Sequence, residues 1–378
     1  MSKYQIGMDI STLYDLESEG IKFYDNGKEG ELISILKSYG VNSIRLRLWE
    51  NPFDESGETY GAGTCDLPRV TSLAKRVKAA GMSLLLDIHY SDFWCDPSKQ
   101  TIPKAWKNLS FDELKDTVRS YSADVISHLK KNGCEPDMVQ VGNEITGGML
   151  WEYGRLSWNE EKGSHDGYDN LCELLKAGVE GVRSETDAKI MLHLERSFDN
   201  PRYREFFDNM VSHGVEFDAI GMSYYPYWHH SFDELILNMN DMAERYGKEL
   251  YIAETSYAFT LDHFDKTGKG QHLVVDHSFV PEEGQSLPYP MTVEGQKQFI
   301  HKLLELLVGV KNFKGIYYWE PAWVPSPKGT WASEGARKYI HEEDKAGGNE
   351  WANQCLFDYS GNALPALGEF REFAERNG

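Results

Sequence analysis

Eight short, apolar, β-rich runs alternate with longer amphipathic segments along the whole chain, and this alternation restricts the fold more than any other feature. Strands that alternate with helices are typical of parallel βαβ units, and eight such units indicate a closed barrel rather than an open doubly wound sheet. No Ser-, Pro- or Gly-rich linker divides the 378 residues. The sequence therefore predicts an α/β fold, a single (β/α)8 or TIM barrel forming one domain over residues 1–378. The predicted strands are residues 4–10, 43–49, 83–90, 138–144, 189–195, 218–225, 250–257 and 315–321.

The segments between the strands have the pattern of amphipathic helices. Two begin with a capping signal, Ser110 before Glu113 and Ser231 before Glu234, which satisfies free N–H groups of the first turn. Two long irregular stretches, 259–291 and 322–351, follow the last two strands. Because barrel active sites lie at the C-terminal ends of the strands, we expect both to be substrate-binding loops. The predicted helices are residues 29–39, 68–80, 111–131, 168–184, 201–213, 232–246 and 292–310.

The charge balance restricts the partners. Lys and Arg number 39 against 60 Asp and Glu, a formal net charge of −21 that repels phosphate backbones and anionic membrane surfaces. We therefore predict no nucleic-acid or membrane partner, and a neutral rather than polyanionic substrate. The 10 Trp and 21 Tyr suit the flat apolar faces of sugars, although an aromatic-rich core would have the same composition.

The N-terminus and the cysteines bear on location. The chain enters strand-like sequence at once, without an apolar signal core, and its five cysteines are an odd number with no CxxC pair. Both features predict a cytoplasmic protein with reduced thiols. A secreted protein whose leader had been removed would have the same sequence, so this alternative stays open.

Polar residues gather where the predicted strands end, as expected for a barrel enzyme. Two of them, Glu144 and Glu254, follow apolar runs and would point into one opening. Retaining glycoside hydrolysis needs one carboxylic acid to protonate the leaving oxygen and one carboxylate to attack the anomeric carbon. We predict these roles for Glu144 and Glu254. Asn143 is placed to bond the sugar 2-hydroxyl, and Arg47 to keep Glu254 ionised.

Several blocks of the sequence together resemble endo-β-1,4-galactanases of glycoside hydrolase family 53, in the clan of retaining (β/α)8 hydrolases. The resemblance spans nearly the full chain. An Asn-Glu pair alone is shared by the whole clan, whereas the third-strand and eighth-strand blocks are specific. The blocks are SIRLRLW (43–49), DIHYSDFW (87–94), PKAW (103–106), QVGNEI (140–145), MSYYP (222–226), AETSY (253–257) and YWEPAW (318–323).

The resemblance implies hydrolysis of β-1,4-galactosidic bonds in galactan, type I arabinogalactan or derived galactooligosaccharides, with Glu144 as acid/base and Glu254 as nucleophile. It implies no required cofactor. To the residues that the resemblance places around the sugar we add His193 and Trp323 from the ends of strands five and eight. The predicted substrate-binding residues are thus Arg47, His89, Asp92, Trp94, Asn143, His193, Tyr224, Trp319 and Trp323.

Three departures from the family pattern are present. Residues 150–154 read LWEYG where members often have LWPEG, and Glu195 stands where the strand-five motif usually ends in Asp. Bacterial members often hold calcium between the loops after strands seven and eight. In the corresponding run, 261–270, two lysines argue against a cation, and the sequence leaves a calcium ion open. Its candidate ligands are Asp262, Asp265 and Asp276.

Three other functions share some of these sequence features. A clan relative acting on β-1,4-mannan, glucan or xylan would carry the same carboxylates, because these do not report on sugar stereochemistry. A metal-dependent hydrolase would use pairs such as Asp87 with His89, but no compact ligand constellation accompanies them. An inert glycan-binding barrel would have no use for a paired acid and nucleophile. The sequence therefore favours the galactanase prediction.

Overall fold

Eight parallel strands close into a barrel in the computed structural model, which describes residues 3–265, 273–281 and 285–377. Each strand pairs with its neighbours in sequence, and the last strand pairs with the first. This confirms the predicted (β/α)8 barrel, and every predicted strand overlaps an observed one. The strands are β1 (Gln5–Asp9), β2 (Ser43–Leu48), β3 (Ser83–Ile88), β4 (Met138–Val141), β5 (Lys189–Leu194), β6 (Ala219–Ser223), β7 (Glu249–Glu254) and β8 (Phe313–Trp319).

Amphipathic helices surround the barrel. The capping boxes predicted at Ser110 and Ser231 are both formed. The predicted helix at 29–39 begins only at Leu32, because Lys28–Gly30 instead pairs with Phe23–Asp25 in an antiparallel ribbon. The helices are α1 (Leu13–Ser18), α2 (Leu32–Ser38), α3 (Leu67–Ala79), α4 (Phe111–Lys131), α5 (Tyr168–Glu185), α6 (Asn200–Ser212), α7 (Phe232–Tyr246), α8 (Val293–Leu307), α9 (Glu334–Tyr339) and α10 (Leu367–Asn377).

The barrel interior changes from apolar to polar along its axis. A layer that includes Met138, Met191 and Tyr251 fills its middle. Gly7 makes room for the Tyr317 ring there, since a Cβ on Gly7 would lie 2.1 Å from Tyr317 Cδ1. Alternate residues of a strand share a face, so the inward positions beyond this layer carry the side chains near the C-terminal opening. The apolar layer thus forms the floor of that opening.

The loops at the C-terminal end differ in their relation to the opening. The predicted loop 322–351 contains α9 and contributes side chains that face the opening, including Trp323 and Trp351. The described parts of 259–291 pack behind it, where Val274 N donates to Glu350 O and Asn353 Nδ2 to Val275 O. None of those described parts lines the opening, so only the second loop takes the predicted position.

No helix in the described residues combines the length and the apolar character that crossing a membrane requires.

Candidate active site

A cleft of about 830 Å³ lies at the C-terminal opening of the barrel. It brings together side chains from the ends of the six strands β3 to β8 and from the loop after β8. Its lining contains both aromatic rings and carboxyl groups. Of the residues predicted from the sequence, those that line it are His89, Trp94, Asn143, Glu144, Glu254, Trp319 and Trp323.

Glu144 follows β4 in a left-handed backbone conformation (φ 48°, ψ 51°), which is unfavourable for a residue with a side chain and often marks a functional position. Only 9% of the residue is exposed, and the Ser223 hydroxyl donates to its Oε1 over 2.5 Å. Burial and then the charges of Glu254 and Glu195 raise the pKa of Glu144 well above its usual value. These surroundings favour the protonated acid.

Glu254 ends β7 and has a different environment. Arg45 lies 2.8 Å from its Oε1, and the Tyr225 hydroxyl donates to its Oε2 over 2.9 Å. Burial, together with the charges of Asp87 and Asp9, raises the pKa of Glu254 above its usual value, while the Arg45 charge and the Tyr225 hydrogen bond act in the opposite direction. The two partners occupy both oxygens and favour a carboxylate fixed in one orientation.

Arg45, rather than the predicted Arg47, makes the ion pair with Glu254. Its guanidinium also contacts Asp9 at 2.9 Å and Asp87 at 2.8 Å, and it donates to Asn143 Oδ1 over 2.9 Å. The prediction for Arg47 was wrong because alternate positions of β2 share one face and only the deeper one reaches Glu254.

Arg47 instead supports the aromatic wall of the cleft. It lies 2.6 Å from Glu320 and donates to Ala62 O over 2.8 Å. Its guanidinium carbon lies 4.4 Å from the Trp94 ring centre and 5.7 Å from that of Trp319, within cation–π range. Arg47 is fully buried and does not line the cleft itself.

His193 lies beneath the cleft rather than in its wall. Its Nδ1 is 2.9 Å from Asn143 Oδ1, and its Nε2 is 2.9 Å from the Ser223 hydroxyl. Burial, together with the Arg45 charge, holds the pKa of His193 well below its usual value, so the ring is neutral. His193 therefore connects Asn143 to the serine that contacts Glu144.

Asp92 and Tyr224 were also predicted to contact substrate, and the structure places neither in the wall of the cleft. Asp92 is fully buried and accepts hydrogen bonds from the backbone N–H groups of Asn51 and Lys104. The Tyr224 hydroxyl donates to His230 O, and its ring packs near Phe232. Asp92 holds loops together, and Tyr224 packs away from the cleft.

Several lining residues were not predicted. Tyr225 lines the cleft where Tyr224 was expected. The two adjacent tyrosines in the sequence indicated that one tyrosine side chain at this strand end faces the cleft, but not which one. Trp228 and Trp351 add aromatic surface. Glu195, which the sequence marked only as a departure, also lines the cleft. The departure from the family pattern at 150–154 lies outside the cleft. None of these residues lines it, and Trp151 N donates to Gln100 O.

The residues considered for calcium do not form a cation site in the described part of the loop. Asp262 Oδ1 lies 3.0 Å from His277 Nε2, and Asp276 Oδ1 accepts from the Ser278 backbone and hydroxyl. Within residues 3–265, 273–281 and 285–377, no three His, Cys, Asp or Glu side chains are grouped so that they could hold a metal. The part of the predicted run at 266–270 lies outside the described residues.

Two buried carboxyl groups in one aromatic-walled cleft at the end of a (β/α)8 barrel define the class of barrel glycoside hydrolases. Residues 5–370 match the sequence model of Glycosyl hydrolase family 53. The chain belongs to this family and is a glycoside hydrolase.

Similar proteins support the family assignment. An endo-beta-1,4-galactanase of Bacillus subtilis (strain 168) is 37% identical over 98% of this chain and 85% of its own length. The Ignisphaera aggregans GH53 catalytic domain superposes with a TM-score of 0.85 at 37% identity, covering 98% of this chain and 96% of that one. A structure from a study of two fungal beta-1,4-galactanases has a TM-score of 0.78 at 28% identity, with coverages of 98% and 99%.

Proposed function

We propose that the chain hydrolyses β-1,4-galactosidic bonds in galactan, type I arabinogalactan or derived galactooligosaccharides by a retaining double displacement. Glu144 is the acid/base, Glu254 is the nucleophile, and the chain acts as one catalytic domain. The observation that carries these roles is the contrast between the two carboxyl groups. Arg45 and Tyr225 contact the two oxygens of Glu254 and oppose the charges of its carboxyl neighbours, whereas Glu144 accepts from one hydroxyl and is acted on by the charges of two carboxyl groups.

This contrast assigns the two carboxyl groups their roles in the first step of hydrolysis. A carboxyl surrounded by negative charge and low dielectric keeps its proton and can give it to the glycosidic oxygen. A carboxylate beside a guanidinium stays ionised and can attack the anomeric carbon, which forms a covalent glycosyl-enzyme. Loss of the proton makes Glu144 a base that activates water in the second step. One Asn143 Nδ2 hydrogen is bonded to Cys95 O, which leaves the other for the sugar 2-hydroxyl.

The preference for galactan is supported by relatives that cover nearly all of this chain and are named as galactanases. Initial rates on β-1,4-galactan, mannan, xylan and cellulose, with the wild type and Glu254→Ala, test it. We expect cleavage of galactan alone, abolished by the substitution. Cleavage of another polymer would refute the substrate while leaving the carboxyl pair, and residual Glu254→Ala activity near wild type would refute the nucleophile.

We propose that hydrolysis needs no metal or other cofactor, because side chains provide both the proton and the nucleophile. Galactan hydrolysis should be unchanged after dialysis against a strong chelator. A loss restored by calcium would instead place a cation in the protein.

We also propose a cytoplasmic location, supported by five cysteines that are all buried and unpaired. Fractionation of the source cells should find the activity with the cell contents. Activity mainly in the culture medium would refute this location.

A further inference from the structure

Glu195 lies at the end of β5, next to Glu144. The parallel ladder between β4 and β5 pairs Met191 with Gln140. Glu195 and Glu144 each follow that pair by four residues, so they reach the opening at the same level. The charge of Glu195 contributes to the raised pKa of Glu144. A third carboxyl group therefore borders the acid/base, on the side of β4 opposite β3.

The Glu195 carboxyl is buried without enough partners. Only 4% of the residue is exposed, and its Oε2 accepts no hydrogen bond within the described chain. Burial raises its pKa to about 7, against the opposing effects of the Thr146 hydroxyl and the Arg196 and Arg202 charges. Leaving a buried carboxyl oxygen unpaired costs free energy, so an outside polar group is expected to satisfy it.

The position of Glu195 beside Glu144 indicates which polar group would satisfy its carboxyl oxygen. Glu144 protonates the glycosidic oxygen, so the sugar that departs lies against Glu144, while the sugar that is retained lies toward Glu254. Beyond Glu144 the cleft wall continues with Glu195, Arg196 and the half-exposed Trp228 ring. A polar group next to an aromatic ring is the usual composition of a sugar subsite.

We propose that the Glu195 carboxyl binds a hydroxyl of the departing sugar and so favours a sugar over other leaving groups. This inference rests on the proposed function. A sugar hydroxyl can donate to the carboxylate or accept from the carboxylic acid, so the contact forms in either protonation state. Glu195 positions the leaving group and exchanges no proton with the reacting atoms.

Two substrates with the same galactobiosyl portion test the role. Galactotriose has galactose as its leaving group, and phenyl β-galactobioside has phenol, which carries no further hydroxyl. Loss of the Glu195 charge also lowers the pKa of Glu144, so the rates are compared at a pH below the basic limb of each profile, where Glu144 is protonated in both proteins. For Glu195→Ala we expect kcat/KM there to fall about 10- to 100-fold on galactotriose, and by less than about 3-fold on the phenyl glycoside. Glu195→Gln keeps the volume and should give a smaller loss with the same selectivity.

Glu369→Gln serves as a control, because Glu369 is equally buried but bonds His301 outside the barrel. It should change both rates by the same factor. An equal loss on both substrates in the folded Glu195 variants would overturn this inference and leave the proposed function intact. A wild type that cleaves neither substrate would refute the proposed function, and this inference with it.

Discussion

Arg45 lies 2.8 Å from Glu254 Oε1 while contacting Asp9 and Asp87, so one buried guanidinium is shared by three buried carboxyl groups. The planar fork of arginine can meet several acceptors at fixed angles, which the single ammonium of lysine cannot. The ionisation and the orientation of Glu254 therefore depend on this side chain. Asn143 Oδ1 accepts from the same guanidinium, so Arg45 also links the two halves of the site.

Arg45→Lys should move the acidic limb of the kcat/KM profile to higher pH. Arg45 lowers the pKa of Glu254, so a weaker contact raises that pKa, and the carboxylate form is lost at a higher pH. We expect a fall in kcat of about 100-fold or more, as for loss of one preorganised electrostatic contact. The pH dependence of galactooligosaccharide hydrolysis measures both effects. An unshifted acidic limb would contradict the assigned partner.

Tyr225→Phe and Tyr224→Phe form a matched pair. The first removes the hydroxyl that donates to Glu254, and the second removes one that donates to His230 O outside the cleft. We expect Tyr225→Phe to lower kcat/KM about 10- to 100-fold, the cost of a hydrogen bond to a charged group. Tyr224→Phe should leave kcat/KM within about 2-fold and cost about 1 kcal/mol of stability. Steady-state kinetics and thermal unfolding separate the two, and equal kinetic losses would be the contrary result.

Ser223→Ala should move the basic limb of the profile to higher pH. The Ser223 hydrogen bond favours the ionised form of Glu144 and lowers its pKa. Without it the proton is held to a higher pH, so the acid form persists further into the alkaline range. We expect kcat near the optimum to fall about 10-fold, because Glu144 loses a partner that fixes its orientation. A basic limb that moves to lower pH would show that the serine acts in the opposite sense.

Arg47→Met should destabilise the fold by about 3–5 kcal/mol, because it leaves the Glu320 carboxyl buried without its cation. The double variant Arg47→Met with Glu320→Gln removes that charge and should recover much of the loss. Denaturant unfolding measures both variants. Additive losses would mean that the pair is not coupled. KM should rise in both, since Trp94 and Trp319 lose the guanidinium that contacts them.

The sequence predicted the barrel because each of the eight units has its own apolar period, which needs no knowledge of the rest of the chain. It also placed Glu144 and Glu254, since both stand where an apolar run stops. Once one inward-facing residue of a strand is known, the two-residue periodicity of the strand predicts which other side chains face the barrel interior. Met191 lies in the interior layer, so His193 and Glu195 project on the same side of β5.

The depth of each side chain within the barrel and the positions of the loops could not be predicted in this way. Arg45 and Arg47 share a face of β2, and only the tilt and stagger of the closed barrel decide which of them reaches β7. The inward position of Tyr225 follows an irregularity in the β6–β7 register at Met222 and Ser223, which no local pattern contains. The aromatic wall from the loop after β8 depends on contacts between segments distant in sequence, such as Trp94 Nε1 donating to Trp331 O over 3.0 Å.

Trapping of the covalent intermediate tests the central claim most directly. An activated aryl 2-deoxy-2-fluoro-β-galactobioside should form a glycosyl-enzyme that hydrolyses slowly, because the fluorine destabilises the oxocarbenium-like transition state. Mass spectrometry of the digested adduct should find one galactobiosyl group on the peptide that contains Glu254, and none in Glu254→Gln. A label on another carboxyl group, or release of the inverted anomer from galactan without any adduct, would contradict the account.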